Sequence, residues 1–102
     1  MVVRIVPSES KTTTPAGKLA DAELVFEDGV MSGLKLLGFA IWERRSGNGR
    51  NVTFPARQYV INGERRSFSL LRPIAEAGSQ EALRTLILQA YAEYEERAAL
   101  AP

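Results

Sequence analysis

The sequence contains no cysteine. No disulfide, thiolate nucleophile or thiolate-held metal can be built from it, and the absence fits a reducing compartment. Histidine is missing too. That removes the side chain that most often moves protons near neutral pH, and with it the commonest metal ligand. An enzyme made from this chain would have to rely on tuned carboxylates, lysine or tyrosine. The expectation is therefore a binding protein with no cofactor, no metal and no small-molecule substrate. Long apolar runs are lacking as well. The longest fall far short of the roughly 18 residues needed to span a bilayer. The short stretch Met1 to Val6 cannot serve as a secretory signal core. A cytoplasmic protein is expected.

What is present is ordinary for a folded domain. Domains usually run about 100–150 residues, so this chain of 102 residues has room for one. It is 45% apolar and 25% charged, a balance that supports a core and excludes a disordered polyelectrolyte.

Strand patterns dominate the first two thirds. Val2 to Val6 can form a short strand. Pro7 to Gly17 is rich in turn formers and small polar residues, which predicts an N-terminal strand and flexible arm over residues 1–17 and a single domain over 18–102. Lys18 to Glu27 alternates, with Ala20, Ala22, Leu24 and Phe26 on one side and Asp21, Glu23 and Glu27 on the other. Asp28-Gly29 turns the chain. Leu34 to Glu43 reads as a second long strand, apolar on both faces: Leu37, Phe39 and Ile41 on one, Leu36, Gly38, Ala40 and Trp42 on the other. One face should meet a helix. The other is covered by a second subunit, or belongs to a central strand whose small residues lie under a loop.

Ser46-Gly47-Asn48-Gly49 is a hairpin signal, and Arg50 to Phe54 is the return strand. Pro55, with no N–H to give, ends that strand or marks an edge. Arg57 to Ile61 extends again, Asn62-Gly63 makes a second tight turn, and Arg66 to Leu71 follows until Pro73. Gly78 or Ser79 can cap a helix. From there Leu83, Leu86, Ile87, Ala90, Tyr91 and Tyr94 form one apolar stripe, with Leu88 beside it. The helix should run about five turns. Strands first and helix last predict an α+β fold: a twisted antiparallel sheet of about five strands with one long C-terminal helix packed on it.

Net charge is only +1, but it is unevenly placed. Residues 43–72 hold seven arginines and two glutamates, a net of +5. The preceding residues carry −1 and the following ones −3. The basic third contains arginine and no lysine. Arginine offers a planar fork that matches phosphate and stacks on bases. The candidate contacts are Arg44, Arg45, Arg50, Arg57, Arg65, Arg66 and Arg72, with Tyr59 as a stacking residue. Phe54, Tyr59 and Phe68 are interleaved with these charges, the arrangement used by single-strand platforms. Solubilising surface charge accounts for the same residues, and alternation would also let Phe68 and Leu70 point into the core.

Other chemistry finds little support. Glu93, Glu95 and Glu96 have nothing apolar around them in the sequence to raise a pKa and read as a solvated face. Gly47-Asn48-Gly49 lacks the Lys-Ser/Thr of a phosphate loop and precedes a strand. Ser67 and Ser69 have no histidine to activate them.

Several short motifs line up with one known family. Gly17-Lys18-Leu19-Ala20-Asp21-Ala22 matches its opening strand. Phe54-Pro55-Ala56-Arg57 matches its aromatic-Pro-Ser-Arg step, Asn62-Gly63-Glu64 its short turn, and Leu71-Arg72-Pro73-Ile74 its strand ending in Pro-Ile. Gln89-Ala90-Tyr91 and Glu93-Tyr94 match its helix ending. Over roughly residues 17–95 the chain thus resembles the stage V sporulation protein G family of bacterial septation and gene-expression regulators. It departs from the pattern at Gln58, at Arg72 (where the family usually has histidine) and in a longer hairpin at Arg44 to Asn51. The resemblance implies a homodimer formed by joining sheets, and DNA or RNA binding. The alternative is a protein-interaction module that docks a partner through an exposed β-edge or helix face.

Overall fold

The computed structural model describes residues 1–7, 17–44, 49–76 and 78–100. It holds six strands and a helix: β1 (Val2–Pro7), β2 (Lys18–Val25), β3 (Lys35–Glu43), β4 (Arg50–Thr53), β5 (Ala56–Ile61), β6 (Glu64–Ser69) and α1 (Gly78–Leu100). Every strand pairing is antiparallel. The fold is α+β with a long C-terminal helix, as the order of patterns predicts. The expected sheet of about five strands is divided, however. β1 to β4 make one sheet in that order, and β5 and β6 make a second, two-stranded one.

β1 pairs with β2 from Val2↔Val25 to Pro7↔Ala20. Val2 to Val6, read from the sequence as a short strand, thus form the outer strand of the larger sheet together with Pro7. The expected arm over Ser8 to Ala16, and Ser46-Gly47-Asn48 of the first hairpin turn, lie outside the described residues.

The core forms where α1 covers one face of the larger sheet. Ala20, Ala22 and Leu24 of β2, Phe39 and Ile41 of β3, Val52 of β4 and Ile87 and Tyr91 of α1 are buried together. The alternation read for β2 is what the fold uses. The helix is rotated slightly from the predicted stripe. Leu86 is 41% exposed, whereas Leu88 packs against the core with Leu83 and Tyr94. Arg84 also turns inward, its guanidinium 5.2 Å from the centre of the Phe54 ring. At 23 residues α1 is about six turns long. Among the described residues no helix is long and apolar enough to cross a membrane.

β3 corrects the reading that both its faces are apolar. Ala22 pairs with Phe39, but Leu24 pairs with Leu36, so Leu37 and Gly38 together oppose Glu23. That is a β-bulge, with Gly38 at φ +108 supplying the left-handed step. Leu36 therefore joins Phe39 and Ile41 on the helix side, and Leu37 is left half exposed. A Cβ on Gly38 would come within 2.9 Å of the Pro55 Cβ, so Pro55 lies directly against the bulge. The opposite face of the sheet is laced by charge. Glu23 meets Lys35 at 3.3 Å and Arg4 at 4.0 Å, and Lys18 meets Asp21 at 2.7 Å. Beside them the Trp42 indole N–H donates to the Thr53 hydroxyl at 2.9 Å. This face thus mixes charged side chains with the apolar Ala40 and Trp42.

Candidate nucleic-acid interface

The second hairpin turn is Asn62-Gly63, with φ of 51° and 77°. Positive φ at both central residues is the twist that suits a two-residue hairpin, and Asn-Gly adopts it at low cost. A two-residue turn fixes the register that follows. Ile61 opposes Glu64, Tyr59 opposes Arg66, and Arg57 opposes Phe68. Directly opposed residues share a face, as do residues two apart on one strand. One face of the hairpin therefore carries Arg57, Tyr59, Ile61, Glu64, Arg66 and Phe68. The other carries Ala56, Gln58, Val60, Arg65, Ser67 and Ser69. Side-chain contacts agree: Glu64 and Arg66 pair at 3.2 Å on the first face, and Gln58 Nε2 donates to Ser67 Oγ at 3.5 Å on the second.

This hairpin is an arm. All of β5 is exposed, and so is β6 up to Phe68. Among the described residues the two strands pack closely only on each other. Six residues per strand give it a reach of about 20 Å. Phe68 and Leu70, for which the core was a possible destination, are 46% and 60% exposed. The reason is topological, because the chain leaves the larger sheet at Pro55 and, among the described residues, no helix lies beneath the hairpin. At its base the Leu70 N–H donates to the Pro55 carbonyl at 3.0 Å.

The candidate arginines divide into groups. Arg57 and Arg66 stand on the face that holds Tyr59. Arg72 joins them from beyond β6: its guanidinium lies 4.0 Å from the Phe68 ring centre, held there by its Nε–H donating to the Ser69 carbonyl at 3.0 Å. Arg65 is on the reverse face. Among the described residues, Arg57 and Arg65 have no ion-pair partner. Arg50 is drawn to the helix instead, pairing with Glu95 at 2.8 Å and lying 5.3 Å over the Tyr91 ring. Arg44 donates to the Arg50 carbonyl at 3.4 Å beside the first hairpin turn. Arg44 and Arg50 thus sit at one end of β4, and the arm leaves from the other. Arg45 lies outside the described residues. The seven arginines do not make one patch; three of them gather with Tyr59 and Phe68.

Phe68 is the site residue that alternation along the sequence left undecided. The turn at Asn62-Gly63 carried the signal, since counting outward from it places Phe68 opposite Arg57.

A groove of about 540 Å³ lies between the β6–α1 connection and the helix, walled by Phe54, Leu71, Ile74 and Leu83. Its polar lining is Arg72, Glu76, Ser79 and Gln80, with a single carboxylate, so paired acid–base groups are not assembled there. Among the described residues no cluster of acidic side chains could hold a metal ion.

No family model, curated protein or solved structure matches the chain.

Proposed function

We propose that this chain is a cytoplasmic nucleic-acid-binding regulator, not an enzyme, that grips phosphates through the arginine-bearing face of its β5–β6 arm and works as a homodimer. The observation that carries the reading is the register of the arm. It gathers Arg57, Arg66 and Arg72 around Tyr59 and Phe68 on one exposed face. Planar cations beside exposed rings suit a ligand made of phosphates and flat bases. The resemblance to the stage V sporulation protein G family points the same way. A second copy is part of the proposal because a two-stranded hairpin is marginal alone in water. Both outer edges of the arm are unpaired among the described residues. A copy joined along one edge would steady the arm and leave its face free.

The test is fluorescence-anisotropy binding of labelled oligonucleotides across a salt series. Affinity should fall with salt. Removing an arginine should flatten the log–log slope by about 0.7–0.9 for each phosphate left without its cation. Arg57→Ser with Arg66→Ser should weaken binding and flatten the slope without changing the fold. A slope that is flat in the wild type, or unmoved in the variant, overturns the reading. Sedimentation equilibrium tests the dimer, and a monomer at all concentrations would refute it.

A second reading has its own observation. β4 pairs only with residues 40–43 of β3, so the stretch from Lys35 to Phe39 has no strand on that side among the described residues. Leu37, half exposed, stands beside that open edge. An extended peptide could add there. Salt-tolerant peptide binding that Leu37→Asp abolishes, with no affinity for nucleic acid, would favour this reading over the first.

A further inference from the structure

We infer that the arm takes single-stranded nucleic acid, with two neighbouring bases unstacked and laid on Tyr59 and on the Phe68–Arg72 pair; this rests on the nucleic-acid reading above and goes beyond it by naming the form of the ligand. Spacing decides between the forms. Tyr59 opposes Arg66 and Phe68 opposes Arg57, so the two aromatics stand diagonally across the hairpin, about 7–8 Å apart at the backbone. Bases in a duplex rise by about 3.4 Å and are stacked on each other. Their flat faces are occupied, and their spacing is about half the backbone separation of the two aromatic residues. Only bases that have been pulled apart can each take one ring.

The charges fit the same ligand. Arg57 and Arg66 occupy the other diagonal of the same four-residue block, so aromatic and cation alternate in both directions. A strand crossing the arm meets a ring for each base and a guanidinium for the phosphate beside it. The Arg72 guanidinium lies 4.0 Å from the Phe68 ring centre and adds to that ring a cation on which bases also stack. On this face the Glu64 carboxylate is paired with Arg66, and Arg57 and Arg66 are assigned to phosphates. The polar pair Gln58 and Ser67, which could read edges, is on the reverse face and bonded to itself. The inferred binding is therefore tolerant of sequence. Ribose and deoxyribose strands share the chemistry that the face recognises, and the test carries one arm for each.

The experiment measures anisotropy with labelled oligo-dT and oligo-U, and with a mixed-sequence strand alone and in duplex. The protein is the full chain, as wild type, Tyr59→Ser and Phe68→Ser. Both residues are exposed, so circular dichroism should show intact folding in each variant. Wild type should bind the single strand at least tenfold more tightly than its duplex. Each aromatic variant should bind the single strand about 5- to 150-fold more weakly, with the salt slope unchanged because no charge has been removed. Duplex binding should hardly move. A preference for duplex, or aromatic variants that bind single strands like wild type, overturns this inference and leaves the nucleic-acid reading standing. Failure to bind either form removes both.

Discussion

Phe39 and Val60 are both large apolar strand residues, and the fold treats them oppositely. Phe39 in β3 is fully buried, its ring edge-on to Phe54 at 5.3 Å; Val60 in β5 is 65% exposed. The difference lies not in the residues or in their strand propensity but in what stands above them. β3 runs under α1, whereas β5 leaves the sheet at Pro55 and runs out alone. One chain thus holds two regions that place their apolar residues differently. The body uses its apolar residues for stability, and the arm displays them. If that division is correct, perturbing each region should move a different observable.

The largest expected effect is in the body. Phe39→Ala removes a fully buried ring and should cost about 3–5 kcal/mol in denaturant unfolding, whereas Val60→Ala should fall within about 0.5 kcal/mol of wild type. A comparable destabilisation from Val60→Ala would show that the arm is folded against something and would break the comparison.

Gly38→Ala comes next and tests the joint between the regions. Gly38 combines a φ of +108 with the Pro55 Cβ at 2.9 Å from where its own would stand. Backbone strain alone costs about 1–3 kcal/mol, and the clash with Pro55 adds to it because the obstacle is backbone-anchored. We expect a destabilisation of about 2–4 kcal/mol by the same measurement. Gly63→Ala in the arm faces open space and carries only the strain of its φ of +77. It should leave global unfolding nearly unchanged and weaken oligonucleotide binding. If Gly38→Ala were as mild, Pro55 would not be a fixed joint.

These two glycines also show what could be read in the sequence. Asn62-Gly63 was legible as a turn, and because a two-residue turn fixes the register, the partners of Tyr59 and Arg57 follow from it. Gly38 was not legible, because within an apolar run it looks like one more small residue. Its effect is to insert a step in β3, moving Leu36 into the core and Leu37 out. The apparent second apolar face came from counting straight through that step. The helix suffered a milder version of the same problem. Leu86 and Leu88 flank Ile87 symmetrically, and periodicity alone gives no reason to prefer one; in the fold it is Leu88 that packs against the core. Nor could charge counting separate Arg50 from Arg57. Only the fold brings Glu95 to the first and leaves the second facing solvent.

That separation gives a smaller prediction. Arg50→Met breaks a half-exposed pair with Glu95 and a cation–aromatic contact with Tyr91. Such pairs contribute about 0–1 kcal/mol, so unfolding should shift slightly and oligonucleotide affinity hardly at all. Arg57→Met should do the reverse. Glu64→Gln releases Arg66 from its pair at the arm tip and should raise affinity a few-fold at low salt, an effect that salt erases. A variant at Arg50 that lowered affinity as much as one at Arg57 would mean that the binding surface continues along β4 and that the arm is only part of it.

The smallest effect belongs to Tyr91, the aromatic that the body buries as the arm exposes Tyr59. Burial pushes the Tyr91 phenol above its ordinary 10.0, and the Glu95 carboxylate adds to the rise, while Arg50 opposes it. The folded chain therefore holds that proton more tightly than the unfolded chain does. The phenol's contribution to stability is complete below pH 10.0 and is lost as pH climbs from there through the raised folded value. Denaturant unfolding of wild type between pH 7 and 11 should show stability declining at the alkaline end. Tyr91→Phe keeps the ring and has no proton to lose, so its decline should be shallower over the same range. The two curves should run parallel below about pH 9, where the phenol keeps its proton in folded and unfolded chains alike. If they stay parallel up to pH 11, ionisation elsewhere sets the alkaline limit, and the body's buried phenol is no more sensitive to pH than the rest of the chain.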